Sequence, residues 1–439
     1  MAAAARTDNL SDTERRLFSR AARRIIPVMI VLYTISFLDR VNVGFAALTM
    51  NADLGFSSEV FGFGVGIFFI GYFIFEVPSN VVIEKLGARL WICRIMLTWG
   101  LISGAMAFVT TPTSFYILRF LLGAAEAGFA PGMILYLTYW FPADQRARLY
   151  GTYFIAIPLA SVIGAPFSSW LLGFDGHMGL QGWQWMFLIE AAPALIMGVA
   201  VLWLLPDGPT KAKWLTPDEK KTIADCLARD RAATHIDAQH TLWPALKDSR
   251  VLLMCLIYFA IVIGLYGISF WLPQMVKGKG FTNIETGWLV AAVYVVAALA
   301  MPLWGRSSDR HQERIWHTVA PCLLAAAGFA GGAYFDATPL IIMSLGLAAI
   351  GTYVSIVPFW AIPPVFLSGT AAAGGIALIN SVGNLGGFVG PYLVGYVKDL
   401  TQSYTAGIYA LSVSLIIAAA LILAMRALLA RRAALTAKA

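Results

Sequence analysis

The sequence predicts an all-α polytopic membrane protein, with twelve transmembrane helices in two pseudo-symmetric six-helix bundles. Of its 439 residues, 59 % are hydrophobic and only 13 % are charged, which is more apolar surface than a soluble chain of this length can bury. About twelve apolar runs reach the roughly 20 residues that a helix needs to cross the hydrocarbon layer. The spans must be helical because an unpaired backbone is not tolerated against lipid.

The apolar runs set the domain boundaries. The predicted spans are 25–49, 59–82, 89–109, 114–139, 148–173, 183–205, 249–275, 284–305, 315–335, 338–361, 372–397 and 404–428. They divide the chain into a cytoplasmic N-terminal tail (1–24), an N-terminal six-helix bundle (25–205), a cytoplasmic linker (206–248), a C-terminal six-helix bundle (249–428) and a cytoplasmic C-terminal tail (429–439).

Lysine and arginine predict the orientation. With both termini placed on one side, 26 of the 31 basic residues fall in the tails and loops of that side, and three fall opposite: Lys277, Lys279 and Lys398. Because cytoplasmic loops carry this excess, we expect a multi-pass protein of the cell (inner) membrane with both termini in the cytoplasm. In the linker, "TPDEKKTIADCLARD" predicts a helix with Thr216 as N-cap and Pro217 in the first position, packed beneath the bundle.

Charged motifs recur at a constant offset. "EKLGARLW" follows span two and "GRSSDRHQER" follows span eight, and 225 residues separate Glu84–Lys85 from Asp309–Arg310. The same offset carries Pro166 onto Pro391. This agreement predicts two homologous six-helix halves.

These motifs carry a family resemblance that covers essentially the whole chain. The two loop motifs and "RFLLGAAEAGFAPG" resemble the major facilitator superfamily. More narrowly, "FLDRVNVGFAALTM", "FEVPSN", "GAAEAGFAPGMILYLTYWFPADQRAR" and "GWQWMFLIEAAPA" are similar to the anion:cation symporter family, near its phthalate, tartrate and hydroxyphenylacetate permeases. The resemblance implies the major facilitator fold and transport of a small organic anion.

Among the charged residues that fall inside predicted spans, four stand out: Asp39 and Arg40 in span one, Arg119 and Glu126 in span four. Each costs at least about 2.5–3.5 kcal/mol at the bilayer centre, so we expect all four to face a shared cavity and to pair there. Arg119 and Glu126 share one helical face, about 10.5 Å apart, with Gly123 between them, where a neighbouring helix can come close. The alternative is a salt-bridge cluster that only pins span one to span four, but buried ion pairs stabilise proteins poorly.

The second half lacks matching charges and offers neutral donors and aromatic rings instead. We expect Tyr266, Trp360, Asn380 and Asn384 to contact the uncharged part of a ligand, although packing or interface anchoring is the alternative for any single aromatic residue. Asn380 and Asn384 are four residues apart and share a helical face. Trp360 and Asn380 also match binding positions implied by the resemblance.

The charged residues suggest a division of roles. Arg40 can hold a carboxylate with two hydrogen bonds, and Tyr72 can donate a further one, so both are expected to bind substrate. Asp39 and Glu126 are expected to accept protons, with Arg119 adjusting their proton affinity. The resemblance implies the same roles for the span-one Asp-Arg pair and for the span-four residues. Two titratable carboxylates permit two protons per monoanion, an entry worth about 2.3 kcal/mol per 100 mV.

A second charged group is expected to form a cytoplasmic gate between the halves, with orientation charge alone as the alternative. Its residues are Glu84, Lys85, Arg89, Asp309 and Arg310.

The sequence therefore predicts proton-coupled symport of a tartrate-, phthalate- or hydroxyphenylacetate-like carboxylate by alternating access. The alternative is a facilitator or exchanger for sugar acids or other carboxylates without proton coupling. No nucleophile–base pattern, metal cluster or phosphate loop indicates an enzyme, and the five histidines fall in loops or at span edges. We expect a monomer in the lipid bilayer that binds no nucleic acid, metal or cofactor, with H⁺ as the coupling ion.

Overall fold

The computed structural model describes residues 11–142, 145–146, 149, 153, 155–233, 248–363, 366 and 369–436, and these regions are helical apart from short connections. The α-helices are Asp12–Val41, Val43–Leu54, Ser58–Leu86, Ala88–Ala105, Pro112–Glu126, Phe129–Thr138, Ala156–Leu171, Gly182–Leu204, Pro217–Ala233, Ser249–Lys277, Asn283–Arg310, Ile315–Tyr334, Thr338–Trp360, Gly369–Asn384, Gly386–Thr401 and Thr405–Thr436. The all-α membrane fold predicted from the sequence is confirmed.

Three of the predicted spans are each built from two helices in series. Span one breaks at Asn42, span four at Ala127 and Gly128, and span eleven at Leu385. Within the described residues, 11 helical segments are long and apolar enough to cross a membrane. The predicted span eleven is not among them; its two helices have 16 residues each.

The first helix begins well before the predicted start of span one. Ser11 caps it: the Ser11 side chain accepts a hydrogen bond from the backbone N–H of Glu14, and the Glu14 carboxylate accepts one from the backbone N–H of Ser11. This capping box stabilises a basic, polar first segment that hydropathy alone does not identify as part of the helix.

The linker helix, Pro217–Ala233, packs against the part of the first helix that precedes predicted span one. Thr216 caps it, since the Thr216 hydroxyl accepts a hydrogen bond from the backbone N–H of Glu219. Ion pairs join Arg20 to Glu219 and Arg229 to Glu14. The Arg20 guanidinium, together with the Thr216 backbone N–H, holds the pKa of the Glu219 carboxyl below its usual range.

The first six and last six spans meet along three helix pairs: spans two and eleven, five and eight, and one and seven. One polar contact between the halves lies at the end of span two that is remote from the linker. There the Asp399 carboxylate accepts hydrogen bonds from the backbone N–H groups of Ser58 (3.1 Å) and Glu59 (2.6 Å). Pro166 and Pro391, matched by the repeat, both lie inside helices of this interface.

The surface of the bundle is apolar, although its core is apolar as well. Large apolar side chains such as Ile196, Leu299 and Trp203 are mostly exposed on the helix surfaces. By contrast, Arg119 and Glu126 are at most 2 % exposed. This distribution suits a bundle with an apolar surface toward lipid and charged groups inside.

Spans two and four approach each other closely at Gly123, where a Cβ atom would overlap the carbonyl oxygen of Phe68. We expect Gly123→Ala to lower stability by about 1–3 kcal/mol, because the two backbones must separate to admit the methyl group. The measurement is the thermal midpoint of the purified protein, followed by size-exclusion chromatography.

Gly346→Ala is the matched control, since its added Cβ meets only a Val293 methyl group at 3.4 Å. A Gly123→Ala midpoint equal to that of Gly346→Ala would contradict the close approach.

Candidate functional site

Both helix breaks in the first half occur beside predicted site residues. Arg40 lies in the last turn before the break in span one, and Glu126 is the last helical residue before the break in span four. Gly128 closes the second break with φ of 84°, a left-handed conformation that favours glycine. A carboxylate at a helix C-terminus is unfavourable, so Glu126 requires a compensating cation.

Arg40 is that cation. Its Nη2 and Nε atoms donate hydrogen bonds to Glu126 Oε1, the Nε bond measuring 3.2 Å. The Ser36 hydroxyl donates to the same oxygen at 2.7 Å. The Arg40 Nη1 atom donates to the hydroxyl of Tyr266 at 3.0 Å. This cluster joins spans one, four and seven, and so links the two halves.

Aromatic rings surround the Arg40 guanidinium. It lies 5.4 Å from the ring centroid of Phe68 and 5.3 Å from that of Tyr72. Tyr72 thus lies beside Arg40, as the sequence suggests, while the ring of Phe69 packs on Tyr266 at 4.4 Å. The guanidinium is 7 % exposed, so its charge acts in a largely water-excluded environment.

Asp39 faces away from Arg40, although the two residues are consecutive. Its carboxylate accepts hydrogen bonds from Trp99 Nε1 at 2.8 Å and from the Ser103 hydroxyl at 3.4 Å, both in span three. Within the described residues, no cation lies within ion-pair distance of Asp39, so the expectation of one four-residue paired cluster is wrong for this residue. The reason is helical geometry, which turns adjacent side chains about 100° apart.

The expected pairing of Arg119 with Glu126 is also absent from the described contacts. Arg119 instead donates from Nη2 to the Val65 carbonyl at 3.5 Å and lies 5.0 Å from the ring centroid of Phe68. It is directed at span two, and Glu126 is held by Arg40 instead. Arg119 Nε has no hydrogen-bond partner, so this buried cation is incompletely solvated by the protein.

The four residues of the second half expected to contact a ligand lie in different places. Tyr266 contacts Arg40, and Asn380 donates to the carboxylate of Glu76 at 3.0 Å. Trp360 is half-buried and packs on Tyr258, with ring centroids 4.9 Å apart. Asn384 is half-buried just before the break in span eleven.

Two buried carboxylates were not predicted as site residues. Glu76 in "FEVPSN" is 3 % exposed, and Glu190 in "GWQWMFLIEAAPA" is 1 % exposed. Glu190 accepts hydrogen bonds from the Ser168 hydroxyl (2.6 Å) and from Asn42 Nδ2 (2.9 Å), so it ties the break in span one to spans five and six. The cost of a charge inside a span was the signal available for both residues.

The predicted gate residues whose side chains the structure describes make no ion pair between the halves. Arg89 pairs with Asp207 of the linker at 3.6 Å, and Asp309 pairs with Arg314 of its own half at 2.6 Å. Lys85 and Arg310 are exposed. The side chain of Glu84 lies outside the described part of the structure. A gate formed in another conformation therefore stays a prediction.

The site is suited to binding and to proton exchange. It combines a buried guanidinium, a carboxylate that occupies it and hydrogen-bond donors from both halves. In the described part of the chain, no group of three or more His, Cys, Asp and Glu side chains is arranged to hold a metal ion.

Comparison with known proteins identifies the family. Residues 29–391 match the sequence profile of the Major Facilitator Superfamily. A protein of Agrobacterium vitis named "Putative tartrate transporter" is 53 % identical over 93 % of this chain and 91 % of its own length. "Putative metabolite transport protein NicT" of Pseudomonas putida is 43 % identical over 92 % of this chain and 93 % of its own length.

The fold has solved counterparts. A bacterial homologue of the human lysosomal transporter Spinster, in an inward-facing and unoccupied conformation, superposes with a TM-score of 0.74 at 17 % identity, covering 92 % of this chain and 97 % of the other. These matches agree with the anion:cation symporter resemblance read from the motifs. The chain is a multi-pass membrane transporter rather than an enzyme, and it belongs to the major facilitator superfamily.

Proposed function

We propose that this protein is a proton-coupled symporter that takes up a small organic carboxylate by alternating access. Tartrate is the first candidate substrate, because a relative 53 % identical to this chain carries that name. Phthalate- and hydroxyphenylacetate-like acids follow from the motif resemblance. An uncoupled facilitator or exchanger for sugar acids or other carboxylates is the alternative.

One observation carries the proposal: the Arg40 guanidinium is already bound to a carboxylate, that of Glu126. Arginine binds carboxylates through a planar fork of N–H donors, so a substrate carboxylate can replace Glu126 on the same groups. Tyr266 holds Arg40 from the other half. Substrate binding at this position would therefore act on both halves at once.

The same exchange gives a route to proton coupling. A protonated Glu126 has no negative charge to hold Arg40, so protonation releases the guanidinium for an anionic substrate. Substrate and proton then enter the site together, and neither is favoured alone. Asp39, which has only neutral hydrogen-bond donors, is proposed as a second proton acceptor, and Arg119 as the cation that adjusts both carboxylates.

The other predicted site residues are given roles in the same transport cycle. Tyr72, Trp360, Asn380 and Asn384 are proposed to contact the rest of the substrate. Glu84, Lys85, Arg89, Asp309 and Arg310 are proposed to close the cytoplasmic side when the opposite side opens. We propose a monomer in the inner membrane with both termini cytoplasmic, with H⁺ as its only coupling species.

Uptake of radiolabelled L-tartrate into proteoliposomes tests the proposal. An acidic exterior is expected to drive tartrate accumulation above the outside concentration, and a protonophore is expected to abolish it, because the pH gradient supplies the energy. Phthalate and 4-hydroxyphenylacetate serve as further substrates, and an imposed sodium gradient at constant pH is the control. Equal uptake with and without the pH gradient would favour the uncoupled facilitator.

A further inference from the structure

Glu76 is a buried carboxylate that the proposed transport cycle leaves without a role. It lies in span two, four residues after Tyr72 and therefore about 6 Å further along the same helical face. Asn380 Nδ2 donates to Glu76 Oε1 at 3.0 Å, and the Ser381 hydroxyl donates to Oε2 at 2.6 Å. Both donors belong to span eleven, so this contact crosses between the halves.

The Glu76 carboxylate retains free hydrogen-bonding capacity. A carboxylate offers about four acceptor positions, and the structure fills one on each oxygen. Within the described residues, no lysine, arginine or histidine lies within ion-pair distance of Glu76. The positive charge of Arg40 acts on Glu76 only at longer range.

Glu76 and Arg40 flank the same aromatic residue. The Arg40 guanidinium lies 5.3 Å from the ring centroid of Tyr72, and Glu76 lies one helical turn beyond Tyr72. One end of the site thus presents a cation, and the other presents hydrogen-bond acceptors. A ligand matched to both ends carries a carboxylate at one end and hydroxyl donors next to it.

We propose that Glu76, positioned by Asn380 and Ser381, is the residue that selects hydroxylated carboxylates by accepting hydrogen bonds from substrate hydroxyl groups. This inference rests on the proposed function and names its substrate class as hydroxy acids. A substrate hydroxyl fills an acceptor position that Asn380 and Ser381 leave open on the buried carboxylate, whereas an unsubstituted acid leaves that position unfilled. Sites built to bind a hydroxyl discriminate strongly against analogues that lack it.

A series of four-carbon dicarboxylates tests the inference. Tartrate, malate and succinate carry two, one and no hydroxyl groups on the same backbone. Binding of each acid to the purified full-length protein is measured by competition against radiolabelled tartrate and by thermal stabilisation. The wild-type protein is expected to bind them in the order tartrate, malate, succinate. Glu76→Gln is expected to reduce the preference for tartrate over succinate about tenfold, chiefly by weakening tartrate.

Glu190→Gln is the matched control, because Glu190 is equally buried and also accepts from one amide and one hydroxyl. It should leave the ratio of affinities unchanged. Glu76→Asp and Ser381→Ala provide a second route if Glu76→Gln does not fold, as judged by its thermal midpoint. Both should lower the tartrate preference by shortening or misaligning the acceptor.

Three results would overturn the inference. The wild-type protein could bind the three acids equally well, or Glu76→Gln could weaken all three by the same factor. Glu76→Gln could also leave the preference intact and remove one proton from the transport stoichiometry, which would assign Glu76 to coupling. If the wild-type protein binds none of these three acids but binds phthalate, the hydroxyl preference fails and the proposed carboxylate transport stands; if it binds neither these acids, phthalate nor 4-hydroxyphenylacetate, both fail.

Discussion

Replacing Arg40 with lysine is expected to lower the affinity for a carboxylate substrate roughly 10- to 100-fold, and replacing it with alanine to reduce uptake to background. Lysine keeps the positive charge but loses the planar fork that contacts Glu126 and Tyr266 together. A hydrogen bond to a charged group contributes about 1.5–3 kcal/mol, and each 1.4 kcal/mol is a factor of ten in affinity. The measurement is the concentration dependence of tartrate uptake into proteoliposomes.

The alanine variant has a second effect that must be separated from the first. Removing Arg40 leaves the Glu126 carboxylate buried without its partner, at a cost of about 3–5 kcal/mol to the fold. Thermal midpoints of both variants therefore accompany the uptake assay. Arg94→Lys is the matched control, since Arg94 is a half-buried arginine in span three that stacks on Trp91. Normal affinity in Arg40→Lys would show that substrate binds elsewhere.

The general architecture could be predicted because it follows from composition. The apolar runs predict the membrane helices, and the offset of 225 residues predicts the two halves. The cost of charge in lipid identifies Arg40 and Glu126 as inward-facing, and the structure places both inside the bundle. These inferences depend on the free energy of transferring each side chain into lipid, which does not require knowledge of its neighbours in the fold.

The pairing of side chains could not be predicted because it depends on helix rotation and on local breaks. The seven-residue spacing places Arg119 and Glu126 on one helical face, but the helix ends at Glu126, which pairs across to Arg40. Asp39 and Arg40 are neighbours in sequence, but their side chains hydrogen-bond to different helices. A single sequence does not show which side chains of distant spans contact each other.

Glu76 could have been identified as a site residue from the sequence, because the cost of a charge inside a span applies to it as it does to Asp39. Glu76 also interrupts an apolar span, yet "FEVPSN" drew attention only as a family motif. An ionisable residue inside a span is a functional candidate by default. Applied to every span, that rule identifies Glu76 from the sequence; it also selects Glu190, whose hydrogen bonds give it a structural role outside the Arg40 cluster.

Replacing Glu126 with glutamine is expected to abolish proton-driven accumulation while preserving exchange of external for preloaded substrate. Glutamine is nearly isosteric and still offers an oxygen to Ser36 and Arg40, but it cannot take up a proton. A pH gradient of two units supplies about 2.7 kcal/mol per proton, enough for roughly 100-fold accumulation. The variant should lose this factor and behave like wild-type protein treated with a protonophore, because Arg40 is then available to substrate at any pH.

The exchange assay distinguishes loss of coupling from loss of binding, since exchange needs substrate to enter and leave the site but needs no net proton movement. Glu190→Gln, a matched carboxylate-to-amide change outside the Arg40 cluster, should retain accumulation. If Glu126→Gln still accumulates substrate in a protonophore-sensitive manner, the proton is carried elsewhere, and the Arg40–Glu126 contact is structural. If exchange is lost as well, Glu126 supports binding itself, and protonation cannot be what releases Arg40.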